Sequence, residues 1–447
     1  MDDTICAVAT PAGIGGISII RVSGSNSINI VNKLFKGKDL NKVNTHTISY
    51  GFIVDKNEKI DEVLVSVMKA PKTYTTEDVV EINTHGGIST VNKVLELLIQ
   101  QGVRIAEPGE FTKRAFLNGR ISLIEAKAVS DLIFAKTENA RKISMNSLTG
   151  SLTNLLRNIK QEMLEIEAKI EVNIDYPEYD DLEDMTKNNI IPALKSITKN
   201  FNTIISESKN SKILTNGINV ALIGKPNVGK SSLLNAFLEE EKAIVTDIEG
   251  TTRDSIEGQI VLNGILINFI DTAGIRKTTD IVEKLGTKKS LEIAEKADLI
   301  ILVLNGNEKL SDEDKYILSK LKNKKHIVYI NKDDLDFKID YKGKYVTGNT
   351  LKKKGLDDLK KEIINMFSLD DIAEKDFTYM TNAKDIANIK LAKKSIDNAI
   401  NSLEDNIDPD LILIDLKEAR EKISLILGDD VNEDLLNELF SKFCLGK

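Results

Sequence analysis

Residues Gly224-Lys225-Pro226-Asn227-Val228-Gly229-Lys230-Ser231 follow the pattern G-x-x-x-x-G-K-[ST], directly after the apolar run Ile218–Ile223 and directly before a helical run, Ser232–Phe237. Its glycines let successive N–H groups close around phosphate oxygens, and the helix that follows presents its positive end to the same anion. The segment thus requires a strand to end and a helix to begin within eight residues, the βα corner of an open sheet. A plain glycine turn would not need lysine and serine in register. In this pattern Lys230 reaches the β- and γ-phosphates, Ser231 offers its hydroxyl to Mg²⁺, and Asn227, Val228, Gly229 and Ser232 complete the cradle.

Two further motifs sit at the ends of neighbouring apolar runs. Asp271-Thr272-Ala273-Gly274 follows Ile265–Ile270, 47 residues after Gly224. There Asp271 can hold Mg²⁺ through water and the Gly274 N–H can sense a γ-phosphate. A D-x-x-G sequence alone is usually a turn; its position gives it weight. Asn331-Lys332-Asp333-Asp334 follows His326–Ile330. The Asp334 carboxylate can accept from the ring N–H and the exocyclic amine of guanine, whereas adenine would leave it unpaired, a difference that supports discrimination of about 10⁴. The nucleotide predicted is GTP. Between these motifs lies Thr246-Asp247-Ile248-Glu249-Gly250-Thr251-Thr252-Arg253-Asp254, with Thr252 the candidate switch threonine that closes over Mg²⁺. Residue 275 is isoleucine where Ras-like enzymes carry the glutamine that orients water. Glu283, Arg253 and Arg276 are candidates to substitute. Asn349-Thr350-Leu351, after Tyr345–Val346, fills the slot where GTPases place a guanine-supporting Ser-Ala-Lys.

Residues 216–370 alternate strand and helix (Leu299–Leu304 is another strand), which predicts parallel βαβ units and a doubly wound, mostly parallel sheet. Residues 1–118 read as an α+β domain, with strands Cys6–Thr10, Ile17–Val22, Val63–Met68 and Val79–Ile82 and a helix over Val91–Ile99. Gly13-x-Gly15-Gly16 precedes a strand, so it reads as a turn rather than a dinucleotide site. Residues 119–215 are helical: Leu148, Leu152, Leu155, Ile159, Met163, Ile166 and Ile170 form one apolar stripe on one long helix, and after the acidic break Asp175–Asp184 a second helix fills 185–214. Residues 371–447 are helical again, with Leu413, Leu416, Ile423 and Leu427 on one face, Gly428 as a stop and a last helix over Leu435–Phe443. Two helical blocks around an α/β block predict one helical domain with the α/β domain inserted, against the alternative of two separate helical domains.

Composition sets the remaining limits. The 447 residues carry a net charge of −8, which excludes a chain coated with nucleic-acid-binding charge but not a local basic patch. Cys6 and Cys444 cannot make a disulfide framework, and His46, His85 and His326 do not make a metal cluster. No apolar run approaches a membrane span and the N-terminus has no signal-peptide pattern, so a cytoplasmic protein without a membrane anchor is expected.

These residues resemble the MnmE (TrmE) family of tRNA modification GTPases. The likeness spans the chain: Thr10-Pro11, Gly15-Gly16 and Arg21; Glu81 with His85-Gly86-Gly87; Pro108-Gly109-Glu110-Phe111 with Arg114 to Asn118; the nucleotide motifs; and Phe443-Cys444-Leu445-Gly446-Lys447. The resemblance implies a multidomain α/β chain: an N-terminal folate-binding domain that also mediates a homodimer, a central helical domain and an inserted P-loop GTPase domain. It implies a flavin-containing partner, MnmG, and joint addition of an aminomethyl-type group to carbon 5 of the wobble uridine of tRNA from a tetrahydrofolate one-carbon unit. It further implies K⁺ held by Asn227, Thr246, Ile248 and Thr251, Glu283 positioning the catalytic water, and folate contacts from Arg21, Glu81, Arg120 and Lys447. Arg120 stands where the family has lysine, keeping charge but changing geometry. Cys444 has two open readings, a small buried hydrophobe beside Phe440 and Phe443 or a reactive thiol near the folate; a prenylation box fits Cys-Leu-Gly-Lys poorly. The rival functions are a GTP-switched RNA-binding ribosome-assembly factor without covalent chemistry and a helper-dependent signalling switch. Residues after Gly355 contain glycine only at 428 and 446, so the G-x-x-G loop of an appended KH domain is missing.

Overall fold

The computed structural model describes residues 3–11, 13–175, 190–240, 256–270, 293–369, 380, 382–405, 409–429, 431–443 and 446. It divides into two compact units, one of residues 1–133, 147–198 and 388–447, the other of residues 134–146 and 199–387. Among the described residues no helix is long and apolar enough to cross a membrane.

The first unit holds a seven-stranded sheet in the order β3-β4-β5-β6-β2-β1-β7. Its strands are β1 (Ile5–Val8), β2 (Gly15–Ser23), β3 (Phe35–Lys36), β4 (Thr47–Asp55), β5 (Glu58–Met68), β6 (Val79–Gly86) and β7 (Arg104–Ile105). Neighbours are antiparallel except β1 and β7. Alternation sorts the residues: along β5, Val63, Val65 and Val67 are buried under α1 (Ser27–Leu34) and α2 (Ile88–Gln100) while Leu64 is exposed. The sequence reading found β1, β2, β5, β6 and α2 but not α1 or β4. Asn-rich flanks and the mixed run Thr47–Asp55 carry weak periodicity, and their partners along the chain supply the burial that decides them.

The helical segments that lie between the two sheets in the sequence correct one expectation; of these, residues 134–146 and 199–216 belong to the second unit. The stripe from Leu148 to Ile170 is carried by two helices, not one. After α3 (Glu110–Leu117) and α4 (Leu123–Phe134), α5 (Glu138–Leu148) ends just before Gly150, whose φ of +76° no right-handed helix accommodates, and α6 (Ser151–Asp175) starts afresh. The second helix of the sequence reading is α7 (Ile191–Asn216).

The second unit is built on a six-stranded sheet, order β13-β12-β11-β8-β10-β9. It comprises β8 (Ile218–Ile223), β9 (Ile256–Leu262), β10 (Ile265–Ile270), β11 (Leu299–Asn305), β12 (His326–Asn331) and β13 (Val346–Thr347). All neighbours are parallel except the β9–β10 hairpin, which the sequence reading missed. Successive residues feed opposite faces. Val220, Leu222, Ile301 and Val303 pack with α8 (Lys230–Glu240) and α10 (Leu356–Phe367), whereas Ala221, Ile223, Ile300 and Leu302 pack with α9 (Asp312–Leu321). Helices on both faces explain why β10 and β11 read as continuous apolar runs. One polar row crosses this interior. Gln259, Asn268 and Asn219 are register partners on β9, β10 and β8; Gln259 Nε2 donates to Asn268 Oδ1 (2.7 Å), and Asn268 Nδ2 donates to Asn219 Oδ1 (3.1 Å). Lys136 Nζ closes the row on Gln259 Oε1 at 2.6 Å.

The chain returns to the first unit through α11 (Ala383–Glu404), α12 (Pro409–Leu427) and α13 (Glu433–Phe440). Leu413, Leu416, Ile423 and Leu427 are buried on α12, with Gly428 just beyond its end. The last helix starts earlier and stops sooner than the apolar run Leu435–Phe443, because Asn432 caps it by accepting from the Leu435 N–H.

A buried ion network ties the N-terminus of the first unit to α3. Arg114, 1% exposed, meets Asp3 (2.7 Å), Glu77 (3.1 Å) and Glu110 (3.1 Å), and Arg104 reaches Glu110 and Asp3. Burial drives the Glu110 carboxyl upward, but hydrogen bonds from Arg104, the Glu107 N–H and Arg114 outweigh it and hold Glu110 below the usual carboxylate range. Asp3 is held low by the same balance. Folded-state values below the unfolded ones mean stabilisation that is complete above the ordinary carboxylate range and lost as pH falls through it. Acid melts followed by circular dichroism should therefore show the first unit weakening below about pH 5, a slope that Glu110→Gln reduces. Arg114→Met, which removes the cation facing Glu77 and leaves Asp3 and Glu110 to Arg104 alone among the described residues, should cost about 3–5 kcal/mol in denaturant titrations.

Candidate nucleotide site and N-terminal cluster

The nucleotide motifs of the second unit lie at the carboxyl ends of β8 and β12, where open α/β sheets bind ligands. The phosphate loop leaves β8 at Gly224 and enters α8 at Lys230. Asn227 takes φ +62° and Gly229 φ +105°, so two residues of the turn are held in the left-handed region, at a cost that such loops bear when neighbours over-determine them. At Gly229 any Cβ would collide with the Asn331 amide nitrogen. Lys230 is 9% exposed and donates to the carbonyls of Gly224 (2.6 Å) and Lys225 (2.7 Å). Burial pushes its pKa down, against a smaller opposing pull from Glu313. A desolvated ammonium whose hydrogen bonds among the described residues go to neutral carbonyls fits an anionic ligand, and Ser231, exposed in the first turn of α8, fits a Mg²⁺ hydroxyl ligand.

Asn331 joins this loop to the base-recognition loop. It is 2% exposed; its Nδ2 donates to the Val228 carbonyl (2.9 Å) and its Oδ1 accepts from the Thr350 N–H (3.1 Å). Both polar ends of its side chain are engaged by the two loops it joins. Lys332 follows with φ +64°. Asp333 is engaged by Lys354 (2.8 Å), while Asp334 has only a long 3.5 Å contact to Lys352 among the described residues and a side chain 36% exposed. Of the two carboxylates, Asp334 is the one left for a base. The 349–351 segment does lie beside it. Asn349, 3% exposed, accepts from the N–H groups of Leu351 (3.0 Å) and Lys352 (3.1 Å), and its N–H donates to the Lys354 carbonyl (3.0 Å). This folds the loop without serine or alanine. Thr350 was not assigned from sequence, since its neighbours break the usual pattern.

A second link escaped the sequence reading. Lys225 pairs with Asp314 at 2.9 Å, and Asp314, whose side chain is 4% exposed, also accepts from the Ser311 N–H and hydroxyl in the capping box of α9. The box itself, Ser311 followed three residues later by Asp314, is visible in the sequence. The candidate switch and potassium residues Thr246–Asp254, the Asp271–Gly274 motif, Ile275, Arg276 and Glu283 lie outside the described residues.

In the first unit, three of the four expected folate contacts come together. Arg21 and Glu81 are register partners on β2 and β6, joined at 2.8 Å. The Arg21 guanidinium lies 5.7 Å from the Tyr74 ring centroid and 5.6 Å from that of Phe111, and Arg120 lies 4.7 Å from the other partner of the group, Tyr74. Arg21 Nη1 also donates to the Gly446 carbonyl (3.2 Å), which brings that residue to the same place. Cys444 and Lys447 lie outside the described residues. A carboxylate, two guanidinium groups and the half-buried ring of Tyr74, backed by the buried Phe111, fit a planar heteroaromatic ligand with N–H donors and an anionic tail. Tyr74 carried no signal in the sequence; a lone tyrosine among threonines has no period. Cys6 is buried, and burial pushes its thiol up to about 11, away from nucleophilic duty.

A family model described as the GTP-binding protein TrmE N-terminus matches residues 4–120, and one described as the MnmE helical domain matches residues 123–444. The chain is 49% identical over 455 residues to the tRNA modification GTPase MnmE of Bacillus cytotoxicus, covering 100% of this chain and 99% of that protein. It is 49% identical over 450 residues to the tRNA modification GTPase MnmE of Streptococcus thermophilus, covering 100% and 98%. With a P-loop GTPase unit inserted between helical segments and matches over its full length, this chain belongs to the MnmE family of tRNA modification GTPases.

Proposed function

We propose that this GTPase works as a homodimer in the cytoplasm with an MnmG-type flavoprotein. Together they place an aminomethyl-type group on carbon 5 of the wobble uridine of tRNA, using a tetrahydrofolate one-carbon unit. The observation that carries this reading is the convergence of Arg21, Glu81, Arg120 and the Gly446 carbonyl around Tyr74 and Phe111. Glu81 accepts the N–H donors of a pterin-like ring, the half-buried Tyr74 supplies its stacking face with Phe111 buried behind, and the guanidinium of Arg120 holds the anionic tail. By resemblance to the family, Lys447 adds a folate contact and Cys444 a thiol for the chemistry. The division of labour follows residues 1–118 for folate and dimerisation, 119–215 and 371–447 for the helical domain, and 216–370 for GTP.

In the nucleotide site, Lys230 stabilises charge on the β- and γ-phosphates, and Ser231 and Thr252 ligate Mg²⁺. Asp271 orients its water shell, the Gly274 N–H reads the γ-phosphate, and Asp334 selects guanine. Ile275 cannot orient water, so Glu283 does. Potassium held by Asn227, Thr246, Ile248 and Thr251 supplies the positive charge that an arginine finger gives elsewhere.

Tests follow directly. Nucleoside analysis of tRNA from cells lacking the protein should show wobble uridines without the added group; normal wobble uridines would refute the modification chemistry. GTP hydrolysis by the purified chain should be faster in KCl than in NaCl, and equal rates would remove the potassium assignment. Asp334→Asn should weaken GTP binding about 100-fold, since it removes a charged acceptor of two hydrogen bonds, and should improve binding of XTP, whose C2 carbonyl an asparagine amide can meet. Isothermal titration with GTP, ATP and XTP reads all three.

A further inference from the structure

Charge is unevenly spread along this chain. Residues 320–361 hold 13 lysines against six aspartates, and neither arginine nor glutamate, in a protein whose net charge is −8. Part of this excess lies at the base-recognition loop, where Lys352, Lys353 and Lys354 meet Asp334, Glu239 and Asp333. Six of the others, Lys320, Lys322, Lys324, Lys325, Lys342 and Lys344, gather elsewhere. β12 and β13 run parallel, with Tyr329 beside Val346, so the residues that precede them, 320–325 and 342–345, share the amino end of the sheet, away from the nucleotide motifs at the carboxyl ends.

This end also presents aromatic rings. Tyr316 is 49% and Tyr345 41% exposed. Lys320 Nζ lies 5.5 Å from the Tyr316 ring centroid, and Tyr345 is tilted against Tyr341 at 6.2 Å. Lys325 covers the Phe367 ring at 3.9 Å, and Lys344 pairs with Glu362. Lys320, Lys322 and Lys342 are exposed, and no carboxylate pairs with them among the described residues. Exposed ammonium groups interleaved with tyrosine faces match an RNA backbone, which offers phosphates and bases that stack. An all-lysine surface suits phosphates as point charges and lacks the planar forks that read base edges, so it positions RNA without selecting its sequence.

We propose that this lysine-rich amino end of the GTPase sheet is a docking surface for the phosphate backbone of tRNA. The proposal rests on the tRNA-modifying role above and assigns the substrate a face on the second unit. Because the surface and the nucleotide motifs occupy opposite ends of the strands, RNA and GTP bind without competing for space. This region supplies an attraction for RNA that the net charge of the chain does not.

The experiment measures binding of the full chain to labelled tRNA over a KCl series, with and without the triple substitution Lys320→Gln, Lys322→Gln, Lys342→Gln. A control removes three exposed lysines of the first unit, Lys38→Gln, Lys56→Gln and Lys72→Gln. Each lost phosphate contact lowers the slope of log K against log salt by about 0.9, so the triple variant should lose about 3 from the slope and at least about tenfold in affinity. The control should keep both, and GTP hydrolysis without RNA should be unchanged in all three proteins. Equal slopes for the triple variant and the unsubstituted chain, no measurable tRNA binding by the latter, or loss of binding to the protein partner with tRNA affinity intact would each overturn the assignment. If wobble uridines depend on the protein while the slopes stay equal, the docking surface fails and the modification role stands.

Discussion

One buried side chain holds the nucleotide site of this protein together. Asn331 gives its N–H to the phosphate loop at Val228 and takes an N–H from the base loop at Thr350. Neither loop belongs to regular secondary structure, and two residues flanking the junction, Asn227 and Lys332, hold positive φ. Without a shared partner each loop could relax separately. Burial raises what is at stake, because a donor and an acceptor enclosed in the sheet's carboxyl end have no water to fall back on. The distance between phosphate and base recognition is thereby set by one amide.

The scaffold makes that junction possible. β8, β11 and β12 lie side by side in parallel, so their carboxyl ends bring residues 224, 305 and 331 to one edge. Continuous apolar sequence allows burial on both faces, and helices on each side close it. From the first turn of α9, Asp314 anchors the phosphate loop a second time through Lys225. The loop is gripped from two directions, by a neutral amide and by a charge pair.

Much of this was legible in the residues. The phosphate-loop pattern, the strands beside it and the Asn331–Asp334 motif announce a GTP site, because each uses residue types whose chemistry is local. The motif already singles out Asp334, and the structure adds that Lys354 engages its neighbour Asp333 while Asp334 has the longer contact. The hairpin strand β9 and the break at Gly150 were missed for different reasons. The β9 segment mixes polar with apolar residues, because Gln259 belongs to an internal amide row. The Leu148–Ile170 stripe keeps helical spacing across a break, and only the backbone angle at Gly150 separates the two helices. In the first unit, Arg21 and Glu81 were named from resemblance, but their cross-strand registration and the rings of Tyr74 and Phe111 are matters of pairing that no single segment encodes. The Arg114 network, too, draws on Asp3, Glu77 and Glu110 from three separate stretches.

The amide row has a bearing on how the hairpin between the two candidate switch segments can move. β9 follows Thr246–Asp254 in the chain and β10 runs into Asp271. If β9 slid two residues along β10, Val261 would face Asn268, whose carbonyl oxygen would lose the Gln259 amide inside the sheet, at about 1–3 kcal/mol. Ratcheting is thus opposed by chemistry at every tooth. The pair is geared to β8 and favours tilting with it as a lever over gliding past it.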